Sequence, residues 1–96
     1  MPDVRLARNA ERDLRRVGAG PQRKRIVAAL IELGADAANL DIKALTGAKP
    51  WFRLRVGDYR ILYWLRPDDV YEVGRIVHRR DLDASAASLP TVDARD

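Results

Sequence analysis

The sequence predicts an α+β domain in which a helical hairpin packs on one face of a small antiparallel β-sheet, in the order β-α-α-β-β-β. Three observations predict it. Apolar residues recur at helical spacing in two short runs before residue 35, and the period changes to two after residue 50. Between two alternating segments sits Gly57-Asp58, a pair suited to a two-residue hairpin turn. A length of 96 residues leaves room for one domain with one core.

Val4 and Leu6 flank Arg5 in a stretch long enough for one brief strand. Asn9 is the expected N-cap of the first helix, with Glu11 in its first turn, where the helix dipole favours an anion. Ala10, Leu14 and Val17 recur at i, i+4, i+7 as an apolar face, with Arg12, Asp13, Arg15 and Arg16 on the other sides. Gly18 to Gly20 interrupt, and Pro21 opens a second helix whose stripe is Ile26, Ala29, Leu30 and Leu33, stopped by Gly34. So short a connection makes the two helices antiparallel. Residues 35–50 mix Ala, Asn, Asp, Gly and Pro without a period. They are expected to form an irregular connection that carries Leu40, Ile42 and Leu45 inward. Residues 51–56 and 59–65 then alternate about the turn, 66–69 make a second turn, and 70–77 a final strand. The domain is expected to span 1–82, followed over 83–96 by an acidic Ala- and Ser-rich tail, either a short helix or a mobile segment.

Composition narrows the chemistry. The chain has no cysteine and one histidine, His78, which excludes disulfides, thiolate metal sites and a cysteine nucleophile, and leaves a histidine metal cage without ligands. No metal or cofactor is expected. No run approaches the 18 apolar residues of a membrane span, and the expectation is a soluble cytoplasmic protein with no membrane partner. The formal charge of +4 hides an asymmetry: the body is basic and the last sixteen residues are acidic. All the cations except Lys24, Lys43 and Lys49 are arginines, whose planar fork matches phosphate better than a point charge does.

With Gly57-Asp58 as the turn, Arg55 faces Arg60, Arg53 faces Leu62, and Trp51 faces Trp64. A four-residue second loop would pair Leu65 with Val70 and bring Arg75 opposite Arg60. Three arginines would then cross three strands, although like charges opposite one another cost roughly 0.2–1 kcal/mol per pair. An anion is the simplest compensation, and a flat basic face reads as phosphate binding; the plainer alternative is a solvated face that keeps the sheet soluble. Trp51 and Trp64, on the same face, are candidates to stack an unpaired base, or else to lie beneath a C-terminal segment. Tyr59 and Tyr63 face the helices, as does Glu72, an awkward residue for that side. At the end of the last strand, His78-Arg79-Arg80-Asp81 sets a histidine beside two arginines, which favour its neutral, proton-accepting form.

Leu45-Thr46-Gly47, the run from Trp51 through Gly57-Asp58-Tyr59-Arg60 to Tyr63, and Ile76-Val77-His78-Arg79-Arg80-Asp81 together resemble the RelE/ParE superfamily of toxins from bacterial type II toxin–antitoxin modules. The HRRD sequence leans toward the RelE branch. The resemblance implies a RelE-like fold and a metal-independent endoribonuclease that cuts messenger RNA in the ribosomal A site by attack of the 2′-hydroxyl on the phosphate. It also implies a cognate antitoxin covering the basic face in a hetero-oligomer. By position, Arg53 and Arg55 would hold the phosphate and help activate the hydroxyl, Arg60 would stabilise the phosphate, and Arg80 would assist the leaving group. Arg75 and Arg79 would bind RNA beside Trp51 and Trp64. Two features depart from the pattern. Arginines stand where some members carry lysines, which makes His78 the candidate base, and the tyrosine many members have after the HR pair is missing. Inhibition of DNA gyrase in the ParE manner, and a degenerate toxin serving only as an antitoxin-binding co-repressor, are the rival expectations.

Overall fold

The structure, a computed structural model, describes residues 2–92. Its elements are β1 (Asp3–Leu6), α1 (Arg8–Val17), α2 (Pro21–Gly34), β2 (Ile42–Ala44), β3 (Phe52–Val56), β4 (Tyr59–Leu65), β5 (Val70–His78), a 3-10 turn (Arg79–Asp81) and α3 (Leu82–Ala87). The strands form one sheet in the order β1-β5-β4-β3-β2, antiparallel except for β1, which pairs in parallel with β5. The expected hairpin on a sheet is present, with one more strand than the sequence shows and a mixed rather than wholly antiparallel sheet.

The two helices lie where their stripes direct them. Ala10 and Leu14 of α1 and Ile26, Ala29 and Leu33 of α2 meet Leu54, Ile61, Tyr63, Val73 and Ile76 of the sheet in one core. Burial of each large aliphatic there contributes about 1.5–3 kcal/mol. Pro21 does open α2, and Gly34 ends it so close to β1 that a Cβ on Gly34 would lie 3.1 Å from Val4 Cγ2. Asn9 is not the N-cap of α1. The helix starts two residues earlier, behind an extended Ala7 with no side-chain cap, and Ala7 N–H donates to Val73 C=O at 2.9 Å where the β1–β5 ladder ends. The 35–50 connection also differs from expectation. It contains β2, paired with β3 from Ile42↔Leu54 to Ala44↔Phe52 at the edge of the sheet, and Ile42 is 41% exposed there rather than turned inward.

The β3–β4 register follows the turn, with Val56 opposite Tyr59 and Arg55 opposite Arg60, and Gly57 takes the positive φ of +58° that the turn requires. The β4–β5 register departs from expectation. Leu65 pairs with Tyr71, Arg60 with Val77 and Leu62 with Arg75; a bulge then leaves Gly74 unopposed before Tyr63 meets Val73. This single extra residue turns Glu72 off the helix face to sit opposite Trp64, with Arg66 Nη1 at 3.6 Å, and turns Val73 into the core. Gly74 must lack a side chain: a Cβ would fall 2.7 Å from the Trp51 ring.

The face opposite the helices is partly roofed. The 3-10 turn and α3 lead back across it, Ser85 is buried, and Trp51 Nε1–H donates to Pro90 C=O at 3.2 Å. Trp51 and Trp64, with ring centroids 6.4 Å apart, retain 2% and 7% exposure. Neither ring is open to a base, so the stacking surface expected from them is replaced by its alternative, packing under the C-terminal segment. Of the expected tail over 83–96, residues 83–92 belong to this cover and the rest lie outside the described residues.

Candidate nucleic-acid interface

The basic groups gather at the turn end of the β3–β4 hairpin. Arg53 and Arg55 alternate on β3, and Arg60 crosses from β4, all on the face away from the helices. Arg53 is anchored: its Nη1 donates to both Oδ1 and the main-chain oxygen of Asp41, each at 3.0 Å. The bond from Arg53, assisted by the charges of Arg53, Arg55 and Arg60, holds the Asp41 carboxyl below the usual carboxylate range. Arg60 folds back over the turn, donating from Nη1 to the carbonyls of Gly57 (3.0 Å) and Tyr59 (2.9 Å). Partial burial, together with the positive charges of Arg55, Arg53 and Arg79, pulls the Arg60 guanidinium below the ordinary arginine value. It remains charged, and an anion would relieve the strain that the other three cations impose.

The end of β5 is tied to the same turn. Arg79 N–H donates to Asp58 C=O at 2.7 Å, and its Nε lies 3.8 Å from Asp58 Oδ1. His78 stands opposite Tyr59, ring edge to ring face with centroids 5.7 Å apart, and its Nδ1 accepts from Arg80 N–H at 3.2 Å. That bond places the proton of a neutral imidazole on Nε2. In this tautomer His78 is a donor toward a ligand, and acceptance of a proton at Nδ1 breaks its bond to Arg80. The base role expected for His78 therefore does not match its geometry.

Arg75 leaves the expected arginine row altogether. Its Nε and Nη2 clasp Asp13 of α1 at 2.7 and 3.1 Å, while Asp13 Oδ2 also accepts from Ile76 N–H at 2.9 Å. Beyond the end of β1, the outer edge of β5 has no strand, and Asp13 supplies the acceptor that a strand would have given. This bonding raises the pKa of Arg75 further. The sequence places Asp13 on the polar sides of its helix, yet it falls three residues after Ala10 and is buried, and that spacing is the signal for it. Asp41 lies in the stretch without a period and carried none.

Arg53, Arg55, Arg60 and Arg79 thus come together at the hairpin tip, His78 and Arg80 border a neighbouring cleft, and Arg75, Trp51 and Trp64 are engaged within the fold. Among the described residues no cluster of His, Asp and Glu has the makings of a metal site, and no helix is long and apolar enough to cross a membrane.

Comparison with known proteins gives a consistent picture. Residues 4–83 match the family model of the ParE toxin of the type II toxin–antitoxin system parDE. A chain of the RelB–RelE antitoxin–toxin complex from Methanococcus jannaschii is 30% identical, with a TM-score of 0.70, covering 83% of this chain and 95% of that one. A chain of the RelBE2 toxin–antitoxin complex from Mycobacterium tuberculosis is also 30% identical, with a TM-score of 0.59, covering 82% of this chain and 100% of that one. A copper-bound mutant toxin from Helicobacter pylori shares the fold at 18% identity, with a TM-score of 0.70 and coverage of 85% and 99%. No curated protein matches at a significant level.

Proposed function

The chain belongs to the ParE toxin family of type II toxin–antitoxin systems, within the RelE/ParE superfamily, and from that premise we propose that it arrests growth as a ribosome-dependent endoribonuclease. The observation that carries the reading is the convergence of Arg53, Arg55, Arg60 and Arg79, with Arg60 partly desolvated and depressed by its cationic neighbours. The guanidinium groups of Arg53, fixed by Asp41, and of Arg60, fixed by the Gly57 and Tyr59 carbonyls, are oriented in advance for the charge that develops on a phosphate under attack.

In this reading the 2′-oxygen of one nucleotide bonds to the phosphorus and the bond from phosphorus to the 5′-oxygen breaks, leaving a cyclic phosphate and a free 5′-hydroxyl. Arg53 and Arg55 hold the phosphate, Arg60 stabilises the pentavalent state, and Arg80 lies toward the leaving oxygen. His78 hydrogen-bonds that oxygen through Nε2–H and keeps its proton, since a neutral imidazole is a donor and not an acid, so the leaving 5′-oxygen takes its proton from water. Arginine stays protonated and takes no proton, so the 2′-hydroxyl proton passes to solvent. A cognate antitoxin covers the basic face in a cytoplasmic hetero-oligomer; the relatives found in antitoxin–toxin complexes support that partner.

Primer extension on a reporter transcript after brief induction of the wild-type chain and of Arg60→Ala tests the proposal. Cuts inside translated codons are expected, absent in the variant and absent when translation is blocked. The ParE family match and the engaged Nδ1 of His78 favour a second reading, inhibition of DNA gyrase. Growth arrest over an intact message, with DNA-damage signalling, would decide for it.

A further inference from the structure

The turn that carries the hairpin arginines is held from more than one element. From the end of β5, Arg79 N–H donates to Asp58 C=O at 2.7 Å. From α2 comes Arg25, which none of the roles described above uses. A Cβ on Gly57 would lie 2.9 Å from Arg25 Nη1, 3.0 Å from Nη2 and 3.1 Å from Cζ. Near-equal distances to three atoms of one plane mean that the guanidinium lies flat across the turn backbone and not edge-on to it.

Arg25 is exposed and forms no ion pair among the described residues, so no carboxylate holds it in this place. It borders both a narrow crevice with Val56, Asp58 and Tyr59 and a cleft of about 340 Å³ that reaches Asp41 and Arg55. It therefore stands where α2 meets the hairpin tip. A turn residue with φ of +58° can be asparagine as well as glycine. The flat guanidinium adds a second demand, because any side chain at position 57 pushes Arg25 off the turn.

The turn in its own right sets Arg60. Arg60 Nη1 donates to the carbonyls of Gly57 and Tyr59, so its guanidinium follows wherever those oxygens go. The charges that act most on Arg60 are those of Arg55, Arg53 and Arg79, so Arg25 bears on it through contact with the turn and not through charge.

We propose that Arg25 is a positioning residue, a planar brace from α2 against Gly57 that fixes the carbonyls on which Arg60 is set. It touches neither substrate nor reacting atoms. That Arg60 then meets a phosphate rests on the nuclease reading; that Arg25 sets Arg60 does not. Lysine keeps the charge of Arg25 and lacks its plane, which separates a brace from a mere cation.

The test follows, in the full chain by NMR, the rate at which the Arg60 guanidinium turns about its Nε–Cζ bond, and measures cleavage of a reporter message on programmed ribosomes. Arg25→Ala is expected to speed that rotation about threefold or more, as a weakened hydrogen bond would. The same variant should lower kcat about tenfold with KM within about twofold, since a small misplacement of a fixed group is felt in the chemical step. Arg25→Lys should behave as Arg25→Ala does. Gly57→Asn, which displaces Arg25 and leaves its charge, should match them, and should add nothing in the Arg25→Ala background. Unchanged Arg60 rotation in Arg25→Ala, even with a fall in the urea midpoint, would overturn the brace, as would full rescue by Arg25→Lys or strict additivity with Gly57→Asn. An uncut message with the wild-type chain refutes the nuclease reading, and the Arg60 rotation rates then decide the brace by themselves.

Discussion

Asp13 is the residue on which the join between α1 and the sheet edge depends, and its loss has a cost that the geometry sets. It is 6% exposed and accepts three bonds, two from Arg75 and one from Ile76 N–H. Breaking a fully buried ion pair by removing one partner costs roughly 3–5 kcal/mol. Arg75 keeps 26% of its side-chain exposure, so solvent recovers part of this, and about 2–3 kcal/mol remains. The stranded N–H of Ile76 adds about 1 kcal/mol. Asp13→Ala is therefore expected to lose about 3–4 kcal/mol, which for a domain of this size lowers Tm by more than about 12 °C. Asp13→Asn keeps an acceptor for Ile76 and should lose about half as much. Urea unfolding of the two variants, with Arg75→Ala and the double variant to close a cycle, measures the terms separately. A loss below about 1 kcal/mol for Asp13→Ala, or strict additivity with Arg75→Ala, would refute the idea that the pair bridges helix and edge.

Three further outcomes follow from the same geometry. Gly74→Ala forces a methyl group to 2.7 Å from the Trp51 ring and should cost about 1–3 kcal/mol, read by urea unfolding with a matching change in tryptophan emission. A chain ending at Asp81 loses the cover over Trp51 and Trp64, and its tryptophan emission should move to the red while the core retains its secondary structure by circular dichroism. Burial pushes the Tyr63 phenol up to about 12, against 10.0 in the unfolded chain. Above pH 10 the unfolded state therefore holds fewer protons than the native one, so stability is full below pH 10 and falls toward pH 12. The urea midpoint should drop over that window and drop less in Tyr63→Phe.

The hairpin was legible because a turn is a local event: Gly57-Asp58 fixes five cross-strand pairs without reference to the rest of the chain. Helix faces were legible for the same reason, since a stripe at 3.6-residue spacing is written in consecutive residues. The arginine row was not, because the β4–β5 register depends on a loop one residue longer than expected and on a bulge that follows the bulk of Trp51. A trace of the bulge was nevertheless present. Glu72 stood on the wrong side of an apolar strand, and Gly74 interrupted it two residues later. Both are what an extra residue leaves behind. Strand β2 and the cover of Trp51 by Pro90 left weaker traces: three residues at an edge, and a segment whose packing depends on a partner 39 positions away. At the candidate site, the arginines of the hairpin stayed where the turn put them, while Arg75 was claimed by a carboxylate 62 residues distant.

The parallel pairing of β1 with β5 has a meaning in time as well as in space. Val4 sits opposite Tyr71, so the first strand made is seated only by the last one. At a synthesis rate of about 5–20 residues per second, the 67 residues between them take roughly 3–13 s to assemble. Throughout that interval β1 has no neighbour and α1 has no β5 edge to rest on, and toward its close, once Leu65 is made, the β3–β4 hairpin with its arginines can close on itself. The nascent chain thus acquires its basic tip before it acquires the scaffold that holds the tip in place, and β1 is seated only after β5 has been made.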